Sequence, residues 1–167
     1  MWLIIPIIIV ITIIFFLVVK SVKVRKINSF ILSLCNSNNY SLKSFSKEYN
    51  YILENENEII YLRYIFIPKN SSITVNSKST WCLRYGGGSR NGRSYPNKEY
   101  LNYLKPFLTK EYIHENKKVR KVVVLYPTTE VILKYINESD IININQSDLV
   151  YGTQIIKFNE LEKYLFI

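Results

Sequence analysis

The stretch "WLIIPIIIVITIIFFLVV", residues 2–19, limits the fold more than any other: it is an uncharged run of 18 residues. As a helix rising ~1.5 Å per residue it reaches about 27 Å, close to the ~30 Å hydrocarbon thickness of a bilayer. Pro6 falls in the first two turns, where a missing N–H costs least. Trp2 sits where an interfacial aromatic would. A cleaved signal peptide needs a basic leader, a shorter apolar run and small residues at a cut site; here nothing basic precedes the run and "KSVKVRK" follows it. The run is therefore expected to be a transmembrane anchor over residues 1–19, with the lipid bilayer as partner of residues 2–19. Lys20, Lys23, Arg25 and Lys26 flank its C-terminal end. The positive-inside bias then gives a single-pass cell-membrane protein whose C-terminal domain is cytoplasmic. Each such cation near an anionic leaflet is worth about 1 kcal/mol, which makes anionic lipid headgroups a candidate partner as well.

After the anchor, Val24, Ile27, Phe30, Ile31 and Leu34 recur at helical spacing and predict a basic juxtamembrane helix, with a linker to residue 44 broken by "CNSNNYS". Residues 45–167 then form one domain. "IIYLRYIFI" (59–67) is β-branched and aromatic and reads as a buried strand. "SITV" and "WCLRY" predict a hairpin. Tyr100, Leu101, Leu104, Phe107 and Leu108 suggest a helix within 97–113 that ends or kinks near Lys105, before Pro106. "VVVLY" (122–126) has the continuous apolar character of a central, doubly covered strand. "EVILKYI" fits helix or strand, "TQIIKF" a strand, and "NELEKYLFI" a closing helix capped by Asn159. This order predicts an α/β or α+β domain.

Charge narrows the partners. The formal net charge is +9, so a polyanion is the default partner, nucleic acid or acidic lipid. No acid occurs before Glu48, and the cluster Glu54, Glu56 and Glu58 precedes the strand at 59–67. Arg63, Lys69, Lys78, Arg84, Arg90, Arg93 and Lys98 then follow without an intervening acid. Tyr61, Tyr64, Trp81, Tyr85 and Tyr95 are interleaved with them. Cations neutralise phosphates, and flat aromatics stack on unpaired bases for ~1–3 kcal/mol each. Strands alternate faces, so half of these aromatics can equally belong to a core. Lys78, Arg84, Arg90, Arg93 and Lys98, around the loop "GGGSRNGRS", are the candidate nucleic-acid contacts.

Several chemistries fall away. The glycine loop lacks the Lys-Ser/Thr ending of a phosphate loop. One histidine, His114, and two separated cysteines, Cys35 and Cys82, make no zinc cluster.

From about Tyr49 onward the order of features resembles the nuclease-related domain (NERD) family, a branch of the restriction-endonuclease-like nucleases. "FIPKN" lies where that family has Glu-x-Lys-Asn: Lys69 and Asn70 match, and Ile67 stands in place of the metal-binding Glu. "STW" with Trp81 resembles the family's Trp segment. "GGGSRNGRSYPNKEYLNYL" resembles the following loop and helix, with Pro96 matching, Glu99 in place of Gln, and Tyr103 four residues on. The resemblance implies a mixed central sheet flanked by helices. It also implies a catalytic set drawn from Glu54, Glu58, Lys69, Glu99 and Tyr103. Such nucleases hold Mg²⁺ with two or three carboxylates, and Ile67 cannot ligate. The resulting expectation is a membrane-anchored NERD-like domain that binds nucleic acid with weak or lost catalysis. Two alternatives stay open: an active Mg²⁺-dependent nuclease, or a membrane-surface interaction protein with no nucleic-acid role.

Overall fold

The computed structural model describes residues 4–44, 46–87, 95–137 and 140–166; positions 1–3, 45, 88–94, 138–139 and 167 lie outside the described residues. The chain divides into two units, Met1–Asn39 and Tyr40–Ile167.

The first unit is one helix, α1 (Ile4–Ser37). Anchor and juxtamembrane helix, expected as separate segments, are continuous, because neither proline nor glycine interrupts the chain between Ile7 and Ser37. Large apolar side chains from Ile8 to Val18 are exposed at every turn, so this stretch has no polar face. Its one hydroxyl, Thr12, is satisfied within the helix by donating to the Ile8 carbonyl at 2.8 Å. Among the described residues no helix is long and apolar enough to cross a membrane; the expected span begins at Trp2, outside them. The helix stops where "CNSNNYS" predicts. Asn39 takes a left-handed conformation, φ 58°, a common way to end a helix.

In the second unit, sequence alternation sorts the strands into two mixed sheets. The first contains β1 (Ser41–Ser44), β2 (Tyr51–Glu54) and β3 (Glu58–Phe66). The second begins with β4 (Ser71–Val75), β5 (Trp81–Tyr85) and β6 (Asn97–Tyr100). A short helix α2 (Lys105–Thr109) leads back to β7 (Lys118–Tyr126) in the first sheet. β8 (Val131–Tyr135) and β9 (Ile141–Asn143) complete the second sheet. β10 (Leu149–Val150) and β11 (Thr153–Lys157) complete the first, and α3 (Leu161–Tyr164) closes the chain. The strand orders are β1-β2-β3-β7-β11-β10 and β6-β5-β4-β8-β9. The β3–β7, β7–β11 and β4–β8 pairs are parallel and the others antiparallel.

The core lies between the sheets. Ile65, Val123, Leu125 and Ile155 of the first sheet meet Ile73, Val75, Trp81, Leu83 and Ile132 of the second, with Leu101, Leu104, Phe107 and Leu108 filling one side. Each such burial contributes about 1.5–3 kcal/mol. As expected, β7 is central, with Val122 to Leu125 fully buried on both faces. The cover differs from the expected layer of helices. The inner face of the first sheet packs against the second sheet, whose strands turn Ile73, Val75, Trp81, Leu83 and Ile132 to one face.

Three local expectations are corrected. Asn97–Tyr100 is strand β6, paired with β5, and not the start of a helix. Pro106 occupies the first turn of α2, where its fixed φ and missing N–H suit it, so it begins that helix and does not end an earlier one. At the C-terminus, Asn159 lies inside a 3-10 turn (Phe158–Glu160) and caps nothing.

Candidate functional site

The outer face of the second sheet holds a concave space of about 400 Å³. Period-two alternation builds it. With Ile73, Trp81, Leu83 and Ile132 turned into the core, Ser72, Thr74, Cys82, Arg84 and Leu133 turn outward. Register then sets these side chains in rows. Lys98 stands opposite Arg84, Arg84 opposite Ser72, and Ser72 opposite Val131. In the next row, Cys82 pairs with Thr74 and Thr74 with Leu133. Tyr135 pairs with Ile141 at the far end.

Two cations directly opposite on neighbouring strands repel each other. Among the described residues no carboxylate pairs with Arg84 or Lys98. Lys98 Nζ rests 4.7 Å from the centre of the Tyr100 ring, and both cations are exposed. Such a pair, with the hydroxyls of Ser72 and Thr74 beside it, is suited to hold an anion. The Tyr95 hydroxyl donates to the Glu130 carboxylate, which fixes the phenol at the rim of the same space.

The residues expected to form a catalytic set are not brought together. Glu58, the first residue of β3, is buried and held by Arg120, with Nε 2.6 Å from Oε1 and Nη2 3.0 Å from Oε2. The Tyr40 hydroxyl donates to the same carboxylate at 2.9 Å. Glu54 accepts from Lys117 at 2.7 Å and from Lys43 at 2.5 Å. Those two ammonium groups, Lys117 foremost, hold its carboxyl down to about 2.

Lys69 lies past the other end of β3. Eight residue steps of ~3.3 Å each put the end of β3 about 26 Å from Glu58, and Lys69 lies beyond that end, farther than one metal ion can bridge. Glu99 is exposed on edge strand β6 of the other sheet, opposite Leu83. Tyr103 is near Glu99; partial burial, then that negative charge, raises its phenol above the ordinary range. Ile67, at the family's metal-binding position, is 6% exposed and part of the core. Among the described residues no three His, Cys, Asp or Glu side chains are grouped to hold a metal ion. The donor set therefore does not fit Mg²⁺.

Of the expected nucleic-acid contacts, Arg84 and Lys98 share the open face. Lys78, in the turn between β4 and β5, is paired with Glu111 at 3.1 Å. Arg90 and Arg93 lie outside the described residues. The interleaved aromatics serve packing more than display. Trp81 is 2% exposed in the core, and Tyr61 stacks on Tyr112 with centroids 3.9 Å apart. Both cysteines are buried free thiols, and burial pushes Cys35 up to about 11.

Two features leave little trace in the sequence. At the apolar end of the open face, Leu133 and Tyr135 fall in "EVILKYI", a segment that fits helix or strand equally, and Ile141 lies beyond it. Lys121, which sits in a charged patch of sequence, is buried and donates to the Leu108 and Lys110 carbonyls at 2.7 and 3.2 Å. There it satisfies the C-terminal end of α2; desolvation, then the nearby charge of Lys78, lowers its affinity for a proton.

No family model, curated protein or solved structure matches the chain.

Proposed function

We propose that this protein is a membrane-tethered, nucleic-acid-binding domain of nuclease-related (NERD-like), restriction-endonuclease-like descent, whose phosphate contacts centre on Arg84 and Lys98. The observation that carries the reading is the cross-strand cation pair on an open, concave sheet face, with no carboxylate among the described residues in an ion pair with either cation. A phosphate between the two cations relieves their repulsion and adds charge-assisted hydrogen bonds. The net charge of +9 draws a polyanion toward the chain. The descent reading rests on the sequence matches at Lys69, Trp81 and Pro96. Glu54 and Glu58 are committed to basic partners, so the reading includes no metal-dependent cleavage. The tether rests on the apolar first half of α1 and the cations Lys20, Lys23, Arg25 and Lys26 that follow within the same helix, which orient residues 20–167 toward the cytoplasm.

The test is equilibrium binding of the detergent-solubilised full chain to a labelled oligonucleotide across a salt series. Affinity is expected to fall with salt, and Arg84→Ala with Lys98→Ala should lower the log–log slope by roughly 0.7–0.9 for each phosphate that the pair neutralises. Salt-insensitive binding, or a slope unchanged in the double variant, overturns the assignment. Tight binding to anionic vesicles by a chain that ignores the oligonucleotide would support the membrane-surface alternative. Extraction of the chain from membranes by alkaline carbonate would remove the tether.

A further inference from the structure

The cavity on the open face is chemically divided, and the division follows strand order. Lys98 on β6 and Arg84 on β5 form the cationic end. Ser72 and Thr74 on β4 supply hydroxyls in the middle, and Leu133 and Tyr135 on β8 form an apolar end. Neighbouring strands are ~4.8 Å apart and successive residues ~3.3 Å apart, so the Arg84 position lies roughly 12 Å from the Leu133 position and roughly 16 Å from the Tyr135 position, a span that the long Arg84 and Tyr135 side chains lining the cavity shorten from both ends. The sequence anion, hydroxyl, flat apolar surface over that distance is the layout of one nucleotide: phosphate, sugar, base.

We infer that this cavity seats a single unpaired nucleotide of a nucleic-acid strand, with its phosphate at Arg84 and Lys98 and its base against Leu133, Tyr135 and Ile141. This rests on the nucleic-acid reading above and narrows it to single strands. The volume, about 400 Å³, is that of a recess for one small ligand and not of a groove for a helix. A duplex keeps its bases paired and stacked and offers a surface mainly phosphates. It can engage the Arg84–Lys98 end but leaves the apolar end unfilled. An unpaired base fills that end by stacking and apolar contact, which tolerates any base identity. Ile141 is 54% exposed on a three-residue edge strand, an apolar surface that a base would cover.

The experiment compares three probes carrying equal numbers of phosphates, each titrated with the full chain in detergent micelles: a single-stranded oligonucleotide, the same strand with abasic sites, and a duplex hairpin. The single strand is expected to bind at least tenfold more tightly than the other two. Tyr135→Ala, and separately Ile141→Ser at the exposed edge, should erase most of that difference. A nucleoside monophosphate should compete with the single strand, and inorganic phosphate should do so only weakly. Equal affinity for all three probes, or a preference that survives both substitutions, overturns the seating of a base and leaves phosphate binding standing. Failure of every probe to bind overturns both readings.

Discussion

Arg120 grips Glu58 through two nitrogens, 2.6 Å from Nε to Oε1 and 3.0 Å from Nη2 to Oε2, across 62 residues of sequence. The same guanidinium donates to Gln154 Oε1 at 3.1 Å and to the Leu165 carbonyl at 2.6 Å. Gln154 in turn donates to the Gln146 and Tyr164 carbonyls. The closing segment of the chain is thus fastened to the first sheet by polar groups that have little access to water. A charge buried in this way is stable only while its partners remain.

Arg120→Met should therefore destabilise the domain strongly, by about 3–5 kcal/mol, because among the described residues it leaves the buried Glu58 carboxylate with the Tyr40 hydroxyl alone. Glu58→Leu combined with Arg120→Met should recover much of that stability, since neither charge then remains. Lys78→Ala breaks an exposed pair with Glu111 and should change stability by no more than ~1 kcal/mol. Urea unfolding of the three variants checks the ranking. An Arg120→Met domain as stable as wild type would show that the network holds nothing.

Glu54 gives a pH signature. Its folded carboxyl is held from an ordinary 4.5 down to about 2, first by the hydrogen bond from Lys117 and then by that from Lys43. A depressed carboxyl stabilises the fold only while ionised, so its contribution is complete above the ordinary value and is lost as pH falls toward about 2. Glu54→Gln should melt below wild type at pH 6, and the two curves should converge as the pH approaches 2. Thermal melts at half-unit intervals read this directly. A gap that stays constant down to pH 2 would assign the shift elsewhere.

What the sequence made legible was local. The strands around "IIYLRYIFI" and "VVVLY" carry continuous β-branched and apolar runs, and both lie close to the expected positions. The helix end at "CNSNNYS" followed from turn chemistry. Residues 97–113 misled, because the apolar spacing of Tyr100, Leu101 and Leu104 fits a helix, while the pairing of Lys98 with Arg84 that makes β6 a strand depends on a distant register. The same limit hid the candidate site. That Arg84 and Lys98 face each other, and that Leu133 completes their surface, are facts of strand order that no window of sequence contains. The acids misled for a further reason: Glu58 looks available until its partner, far along the chain, is known.

The position of Ile67 offers the sharpest test of the resemblance to nucleases. If "FIPKN" is a worn Glu-x-Lys-Asn motif, Ile67→Glu restores the missing acid two residues before Lys69. The packing around Ile67 leads to a different expectation. Ile67 is 6% exposed in the core shared by the two sheets, and its backbone N–H is bonded to the Tyr126 carbonyl at 2.8 Å. A carboxylate there would enter an apolar cluster, and the other acids lie at the far end of β3 or on the opposite sheet. Burying an unpaired charge costs several kcal/mol or forces the group to take up a proton. The variant should lose its cooperative thermal transition, or melt far below wild type, and should cleave neither DNA nor RNA in Mg²⁺ or Mn²⁺. A well-folded Ile67→Glu protein with metal-dependent cleavage would mean that Glu54, Glu58 or Glu99 can reach Lys69 in solution, and the separation imposed by the length of β3 forbids that for the first two.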